Sequence, residues 1–337
     1  MTGVKKVLRH TVIPLAYAIG IHRSLLKRSG HKRMILCFHG TSQYRFRGYA
    51  ARHLHTSQFV KILDFVKSEF DVIPAVEMFA WSREAYVPRK HTVCLTFDDG
   101  FLNNLTHAVP VLESKKMPAT FFIATQSLTE PNETVWPAMV DMAVGGLRAK
   151  EALVIDGQTF RKTGASLTCG DLHIYDYIKQ QHPDQRQKTL NAIREQSNFQ
   201  HQHGATDPEF WRLMNTEDIQ ALAASPVATI GSHAHRHFNL ANVPGDVVHE
   251  ELNKSKSLLE HAVQKEVSAL AFPDGSYSRA VKAQALDAGY RDLHALSYFS
   301  PEDRDDVNIL PRFTVSHTTT WQSNVLRLCS EFKHQGF

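Results

Sequence analysis

Two adjacent carboxylates, Asp98 and Asp99, follow an apolar run over residues 93–97 and precede a glycine. A short apolar run of this kind predicts a buried strand. Carboxylates at the end of a buried strand are costly unless another group pairs with them. Groups of suitable chemistry occur further along the chain, where two imidazoles, His233 and His237, are separated by three residues.

These residue types indicate a metal centre. Two imidazoles and one carboxylate form a three-ligand site for zinc or another first-row metal, with one position left open for water. A bound metal acidifies such a water and polarises a carbonyl group. A second carboxylate beside the site could accept the water's proton as a general base. The pattern therefore predicts hydrolytic chemistry in which Asp98 and Asp99 have different functions.

The spacing of the two histidines predicts that they face the same side, because residues four apart share a face on a helix and on an extended strand. His235 lies between them, and we expect it to face solvent or to support the ligands rather than bind the metal. Either feature alone has an ordinary explanation, since histidine-rich loops are common and Asp and Gly favour helix caps and turns. The two features together are much more specific.

The elements that must position these residues are strands that alternate with helices. Apolar runs predict buried strands over residues 34–39, 93–97, 120–124, 227–232, 269–272 and 309–315. Apolar residues at three- and four-residue steps predict helices near residues 59–70 and 252–263. Thr56 is a suitable N-cap for the first of these helices. The alternation predicts an α/β fold with a parallel sheet or barrel.

The alternation fails over residues 125–205, which contain prolines, paired glycines and a long polar tract. We interpret this stretch as an insertion, partly helical around residues 184–196, that lies on the surface of the main domain. Its apolar content predicts no core of its own.

The bulk composition is that of a globular protein. The 337 residues are 42% hydrophobic and 21% charged, which is typical of a soluble chain rather than a disordered or membrane-spanning one. A net charge of +4 is too small to predict nucleic-acid binding. The four cysteines show no CxxC spacing and predict free, buried thiols in a reducing compartment.

Residues 1–33 form a basic segment around an apolar run over residues 12–21. The run is about half of the roughly 20 residues that a spanning helix needs. Three interpretations stay open: a signal peptide with small residues near position 18, an interfacial helix on an anionic membrane, and an ordinary first helix. We expect a cytoplasmic protein at the inner face of the membrane, with secretion or a periplasmic location as the alternative.

Four motifs resemble those of the polysaccharide deacetylases with a NodB-type catalytic domain, carbohydrate esterase family 4. They are TFDDG at 96–100, PATFFI at 118–123, GSHAHRH at 231–237 and AFPDG at 271–275. A further run, ILCFHG at 35–40, is similar to the first strand of members that begin with a Tyr/Phe-His motif. The resemblance covers most of residues 34–315 and matches only loosely over the insertion.

The resemblance implies a distorted (β/α) barrel of about seven strands, with the insertion between the first and second motifs. Residues 34–337 would be the catalytic domain. The implied reaction is metal-dependent hydrolysis of an N- or O-acetyl group on a sugar. Carried over to this chain, Asp98 is the general base, and Asp99, His233 and His237 are the metal ligands. The backbone N–H of Asp274 would hold the oxyanion.

Two parts of the family pattern lack a clear counterpart. Ala271 stands where the family often has the arginine that orients the base, and Arg312 is a candidate substitute. The late Leu-x-His motif that carries the general acid has no clean match, so His39 and His317 are both candidates for this function.

We therefore expect a divalent-metal N-deacetylase that acts on a polysaccharide or on its lipid-linked precursor. Zn²⁺ is the first expectation for the metal, with Co²⁺, Ni²⁺ or Mn²⁺ as alternatives. The partners would be an acetylated polysaccharide or glycolipid and, through residues 1–33, a membrane surface. Two alternatives stay open: a sugar deformylase or O-deacetylase on the same scaffold, and a non-catalytic carbohydrate-binding descendant. The oligomeric state is open.

Overall fold

The computed structural model describes residues 11–29, 32–44, 52–148, 151–164, 166–197 and 208–334. The basic residues before position 10 and the last part of the predicted insertion lie outside these ranges. The helices are α1 Ile13–Ala18, α2 Ile21–Lys27, α3 Thr56–Glu69, α4 Ala75–Arg83, α5 Val109–Lys115, α6 Trp136–Gly146, α7 Ile174–Lys179, α8 Pro183–Gln196, α9 Thr216–Ala223, α10 Gly245–Val263, α11 Arg279–Asp287 and α12 Trp321–His334. The strands are β1 Arg33–Phe38, β2 Gly40–Ser42, β3 His53–His55, β4 Asp71–Val72, β5 Thr92–Phe97, β6 Ala119–Ile123, β7 Ala152–Ile155, β8 Gln158–Thr163, β9 Ser166–Cys169, β10 Leu172–His173, β11 Ala228–Ser232, β12 Ala269–Ala271, β13 Asp292–Ala295 and β14 Ile309–Thr314.

Seven parallel strands form a closed barrel. Its order is β1-β5-β6-β11-β12-β13-β14, which is also their order along the chain, and β14 pairs with β1 to close the ring. The short strand β4 adds beside β5. The predicted barrel is therefore confirmed, and the six predicted strands that belong to it agree with the observed ends to within one residue.

The barrel strands are buried on both faces. Along β5, Leu95 and Phe97 belong to the apolar cluster shared with the surrounding helices. Cys94 points the other way and packs with Met78 and Phe79 of α4, since successive strand residues face opposite sides. Strands covered on both faces read as continuous apolar runs, and this is why the sequence predicted β5 and its neighbours well.

The sequence did not predict β13, because two of its four residues are polar. Asp292 is buried and accepts a hydrogen bond from Arg83 Nη2 at 2.6 Å. His294 is also buried, with its ring 4.9 Å from that of Phe79 and 4.7 Å from that of Phe122. The partners that allow these polar side chains inside are distant in sequence, so no local pattern marks the strand.

Helix α3 begins at Thr56, which was predicted to be its N-cap. The cap is instead His55, whose side chain accepts a hydrogen bond from the Ser57 N–H. Thr56 is the first helical residue, and its hydroxyl donates to the carbonyl of Ser42 at 3.0 Å. The predicted helix near residues 252–263 corresponds to the C-terminal half of α10.

The expectation that the insertion has no core of its own is wrong. Strands β7 to β10 form an antiparallel sheet, and an apolar cluster separate from that of the barrel joins this sheet to α6, α7 and α8. Its members include Met139, Leu153, Phe160 and Ile193. Apolar residues that alternate with polar ones along short strands give a low local density, which made the core look thin. The predicted helix over residues 184–196 corresponds to α8.

Helices α1 and α2 pack against the C-terminal helix α12. The ring of Tyr17 meets that of Trp321 edge-on at 4.7 Å, and Leu26 is buried. In contrast, Leu15 of α1 is 59% exposed, and Ile19, directly after α1, is 69% exposed. The end of this helix therefore presents apolar side chains to its surroundings. Among the described residues, no helix combines the length and the apolar character needed to cross a membrane.

The four cysteines are free thiols, and three of them are buried: Cys37, Cys94 and Cys329. Cys169, in the sheet of the insertion, is half-buried. Burial raises the pKa of the Cys37 and Cys94 thiols well above the usual value, so both remain uncharged at neutral pH.

Candidate active site

The predicted site residues follow, or lie near the end of, five strands of the barrel, at the C-terminal end where barrel enzymes place their chemistry. They are His39 after β1, Asp98 and Asp99 after β5, His233 and His237 after β11, Asp274 after β12, and Arg312 and His317 on and after β14. Because all seven strands are parallel, these strand ends meet on one face of the barrel.

The chain turns sharply between the two carboxylates. Asp98 continues the ladder of β5, since its N–H donates to the carbonyl of Phe38 at 2.9 Å. Asp99 and Gly100 then adopt left-handed conformations, with φ values of 74° and 82°. A Cβ on Gly100 would lie 3.0 Å from Ile123 Cγ2, so glycine satisfies both the backbone and the close approach. The turn directs the two carboxylates to different partners.

Asp98 forms a buried, bidentate ion pair with Arg312. Arg312 Nη1 donates to Asp98 Oδ1 at 2.6 Å, and Nη2 donates to Oδ2 at 2.8 Å. The thiol of Cys37 adds a weak hydrogen bond to Oδ2 at 3.4 Å. Burial alone would raise the pKa of Asp98, but the Arg312 guanidinium holds it well below its usual range. Asp98 is therefore ionised at neutral pH. The arginine that pairs with it comes from β14 and not from position 271, where this chain has an alanine.

Asp99 faces the two predicted histidine ligands. Its Oδ1 lies 3.2 Å from His237 Nε2 and 3.6 Å from His233 Nε2. Asp99 is fully buried, and within the part of the chain that the structure describes neither of its carboxylate oxygens accepts a hydrogen bond. Two ligands at 2.0–2.1 Å from a tetrahedral ion lie about 3.3 Å apart. The three side chains therefore fit a metal site.

His233 is held in the tautomer that a metal requires. Its Nδ1 lies 2.8 Å from the carbonyl oxygen of Ala271 and donates to it, which leaves the lone pair of Nε2 facing Asp99. Burial lowers the pKa of His233 to about 4, so the ring is neutral at pH 7. The neutral ring is the form that binds a metal.

The segment that carries the ligands is neither a helix nor a strand. Residues 233–237 form an irregular loop in which Ala234 and His237 have φ values of 59° and 56°. The prediction that a regular periodicity places the two histidines on one face is therefore wrong. Left-handed residues bring the rings together instead, with centroids 4.9 Å apart.

Glu251 of α10, which the sequence did not single out, holds this loop. Its Oε2 accepts the backbone N–H groups of His235 at 3.0 Å and Arg236 at 2.7 Å. Glu251 is fully buried, and burial raises its pKa to about 7. A buried acceptor for two consecutive N–H groups fixes the turn between the two predicted histidine ligands. The sequence did not predict this contact, because a glutamate within a helical pattern looks like an ordinary surface residue.

His235 is not solvent-facing, contrary to one of the two expectations for it. The residue is fully buried, and its Nδ1 lies 2.9 Å from the hydroxyl of Thr125. It lies outside the group that fits a metal. His235 therefore ties the ligand loop to the segment after β6.

The insertion contributes two contacts to the site that the sequence did not predict. Trp136 Nε1 donates to the carbonyl of His237 at 3.0 Å. Lys179 Nζ lies 3.0 Å from Asp274 Oδ1. The Gly275 N–H also donates to the carbonyl of Phe272 at 2.8 Å, so the loop after β12 is held by its backbone as well as at the Asp274 side chain. The family motifs lie outside the insertion and gave no signal for these contacts.

His39 and His317 share one cavity. A ring nitrogen of His39, the sulfur of Cys37 and a carboxylate oxygen of Asp98 lie within 4.8 Å of one another. His317 follows β14, and burial lowers its pKa to about 4. Val315-Ser316-His317 is a variant of the Leu-x-His pattern with valine in place of leucine, a signal that could have favoured His317. The choice of acid stays a prediction.

We expect Arg312→Met to lower the free energy of unfolding by about 3–5 kcal/mol, because it leaves the buried Asp98 carboxylate without its cation. Adding Asp98→Asn to this variant should recover a large part of the loss. Urea unfolding of the single and double variants measures both effects, with the exposed Arg89→Met as control.

The same comparison has a defined pH dependence. The folded pKa of Asp98 is depressed, so its stabilisation is present above the unfolded pKa of about 3.9 and is lost as pH falls below it. The difference between wild type and Arg312→Met should therefore shrink as the pH is lowered below about 4. An equal loss for Arg89→Met, or a loss that Asp98→Asn does not reduce, would contradict the pairing.

Glu251 should affect metal affinity through the ligand loop. We expect Glu251→Ala to weaken metal binding by about 10–100-fold, as residues that orient ligands do. Glu251→Gln keeps an acceptor for the two N–H groups and should stay close to wild type. Competition with a chromophoric chelator measures the dissociation constants, and equal affinities for all three proteins would exclude the positioning role.

Glu251→Gln should also change the pH dependence of stability. Burial raises the pKa of Glu251 from an ordinary 4.5 to about 7, so the folded protein binds this proton more tightly than the unfolded chain. Wild-type stability therefore falls as pH rises from 4.5 to about 7. Over that window the glutamine variant should gain on the order of 3 kcal/mol relative to wild type. Parallel pH profiles of the two proteins would contradict this.

Among solved structures, the fold is similar to that of PplD, a Streptococcus pyogenes deacetylase in complex with acetate, at 14% identity. The match covers 88% of this chain and 98% of that chain, with a TM-score of 0.57. IcaB from Ammonifex degensii matches at 15% identity over 90% of this chain and 98% of its own, with a TM-score of 0.57. A de-N-acetylase from Aggregatibacter actinomycetemcomitans matches at 11% identity. The match covers 86% of this chain and 96% of that chain, with a TM-score of 0.54. At these identities the likenesses show the fold.

Sequence comparison identifies the family. No curated protein sequence matches the chain significantly. Residues 85–147 and 177–293, more than half of the chain, match the polysaccharide deacetylase family, and the interruption between the two matched parts falls within the insertion. The chain therefore belongs to the polysaccharide deacetylase family, carbohydrate esterase family 4, whose enzymes hydrolyse N-acetyl amides.

Proposed function

We propose that this protein is a metal-dependent N-deacetylase that acts on acetylated sugars of a polysaccharide or of its lipid-linked precursor. One observation carries the proposal. A fully buried carboxylate, Asp99, faces two imidazoles at 3.2 and 3.6 Å. An ionised carboxylate, Asp98, lies beside them, with its Oδ2 3.9 Å from His233 Nε2.

Asp99, His233 and His237 would hold the metal. Two nitrogens and one oxygen suit Zn²⁺ best, and Co²⁺, Ni²⁺ or Mn²⁺ are the alternatives. When bound, the metal lowers the pKa of a water molecule and polarises the acetyl carbonyl. The neutral ring of His233 and the unpartnered oxygens of Asp99 support this assignment.

Asp98 would act as the general base, and Arg312 would position it. The two hydrogen bonds from the guanidinium fix the plane of the carboxylate. They also keep Asp98 charged in a buried site, and only the charged form can accept a proton. Arg312 would thus take over the orienting function that Ala271 cannot perform.

The remaining steps are assigned to groups around the same strand ends. The backbone N–H of Asp274 would donate to the oxyanion that develops on the acetyl oxygen, an interaction that commonly contributes several kcal/mol. His39 and His317 are the candidates for protonating the leaving amine, because both line the cavity next to Asp98.

A test measures acetate release from N-acetylglucosamine oligosaccharides after metal removal and after reconstitution with Zn²⁺. Asp98→Asn should keep stoichiometric metal and lose about 10²–10⁴-fold in kcat, the usual contribution of general acid–base catalysis. His237→Ala should lose the metal. The exposed His249→Ala is the matched histidine control and should behave as wild type.

Each alternative has its own signature in this assay. Acetate release that survives both chelation and Asp98→Asn would refute the mechanism. Formate release from formylated sugars alone would indicate a deformylase, and acetate from O-acetyl sugars alone would indicate an O-deacetylase. Glycan binding by a protein that holds no metal would indicate a carbohydrate-binding descendant.

We further propose that α1 contacts an anionic membrane from the cytoplasmic side. The exposed apolar side chains of Leu15 and Ile19 stand next to basic residues such as Arg23 and Lys27. Interfacial helices combine these two features. A membrane-associated enzyme would meet a lipid-linked precursor where that precursor is made.

Co-sedimentation with vesicles tests the membrane contact. Leu15→Ser combined with Ile19→Ser should reduce binding to vesicles rich in phosphatidylglycerol several-fold, because about half of the buried apolar area is lost. Val76→Ser on α4, where the valine is 55% exposed, is the control. Equal binding to anionic and zwitterionic vesicles, or recovery of the protein from the periplasm or medium, would contradict the proposal.

A further inference from the structure

A cavity of about 330 Å³ lies beside the candidate active site. The ionisable residues that line it are all basic or imidazole groups: His39, Arg52, His317 and Arg327. The rest of its described lining is apolar or carries hydroxyl groups, and it includes no carboxylate. The volume is at the lower end of the range for ligand sites and suits one small charged group.

The cavity adjoins the proposed general base, Asp98. His39 lines it, and a ring nitrogen of His39 is within 4.8 Å of a carboxylate oxygen of Asp98. Arg52 also lines it and is close enough to Asp99 to interact with that carboxylate electrostatically. A group that occupies the cavity therefore lies next to the position of the reacting amide.

Two buried polar atoms at the cavity have no hydrogen-bond partner. Within the described ranges, neither Arg52 Nε nor His317 Nε2 makes a hydrogen bond. The carboxylate of Asp141 is 3.9 Å from Arg52 Nε, which is too far for a hydrogen bond. Buried donors in native proteins almost always have a partner, so the Arg52 Nε–H calls for a ligand with an acceptor oxygen, and His317 Nε2 can donate to the same ligand in one of its two tautomers.

The permanent charges that line the cavity, those of Arg52 and Arg327, are both positive. Burial, His39 and Arg52 together lower the pKa of His317 to about 4, so its ring is uncharged at neutral pH. The side chain of Arg327 lies over the ring of Phe313, with Cζ 5.1 Å from its centroid. The carboxylates that act on Arg52, Asp99 and Asp141 among them, stand outside the lining of the cavity.

We propose that this cavity binds an oxyanion carried by the sugar substrate, a phosphate or a carboxylate group next to the acetylated sugar. The proposal rests on the proposed deacetylase function and names a class of substrate for it. Guanidinium groups pair with both kinds of oxyanion through two parallel hydrogen bonds. A phosphate at this position would match a lipid-linked sugar, and a carboxylate would match an acidic sugar.

The first test is independent of catalysis. Titration calorimetry of the metal-free protein with inorganic phosphate should show one site, and Arg52→Gln should weaken it about tenfold or more. Arg327→Gln should weaken it less, because this arginine is solvent-exposed and its charge is screened. Arg279→Gln on α11 is the control, since Arg279 is also exposed and lies outside the cavity. Circular dichroism checks that each variant is folded.

The second test compares substrates of the metal-loaded enzyme. Acetate release from N-acetylglucosamine 1-phosphate and from N-acetylmuramic acid is measured against the neutral methyl glycoside of N-acetylglucosamine. We expect kcat/KM for the preferred charged sugar to exceed kcat/KM for the neutral sugar by about tenfold or more. The ratio of the two values should fall in Arg327→Gln and persist in Arg279→Gln. The better of the two charged sugars identifies the oxyanion.

The outcomes separate this proposal from the deacetylase function. Phosphate binding that depends on Arg52, in a protein that deacetylates no sugar, would support the cavity and refute the function. Equal kcat/KM for charged and neutral sugars, with phosphate binding that Arg52→Gln and Arg327→Gln leave unchanged, would refute the cavity while the function stands.

Discussion

The buried ion pair between Asp98 and Arg312 is the interaction on which the site depends. Both residues are 4% exposed, and the barrel interior cannot solvate either charge, so each needs the other. The pair forms only because the barrel closes. Arg312 on β14 is in register with Ile35 on β1, and Ile35 is in register with Cys94 on β5. The strand pairing that completes the fold is thus also the pairing that brings the cation to the carboxylate.

The neighbouring carboxylate needs separate compensation, because two adjacent buried carboxylates raise each other's pKa unless each has its own cation. The left-handed turn at Asp99 and Gly100 meets this need. It leaves Asp98 facing the guanidinium inside the barrel and directs Asp99 towards His233 and His237. One carboxylate is therefore committed to a fixed side-chain cation, and the other is available to a metal. The proposed division between a general base and a metal ligand rests on this separation of charges.

The motifs and apolar runs predicted the barrel and the proximity of Asp98, Asp99, His233 and His237 because those signals are local. A strand covered on both faces is visible in its own residues, and so is a carboxylate pair where such a strand ends. Apart from Arg312, which was a candidate partner of Asp98, the features that depend on distant partners were not predicted. The polar strand β13 requires Arg83 and two aromatic rings from elsewhere. The ligand loop requires Glu251, and its irregular backbone invalidated the argument from four-residue spacing.

The family pattern that the sequence resembles often has an arginine at the position of Ala271, and in this chain Arg312 of β14 supplies the cation beside Asp98. The carbonyl of Ala271 still orients His233, a task that no side chain performs, and Arg312 reaches Asp98 from two strands away. Among the described residues, the insertion contacts the site through Trp136 at the loop of residues 233–237, Lys179 at Asp274 and Asp141 at Arg52. The proposed base and ligands thus belong to the barrel, whereas the insertion supplies contacts to the residues around them. A change of sequence within the insertion therefore leaves these four proposed residues in place.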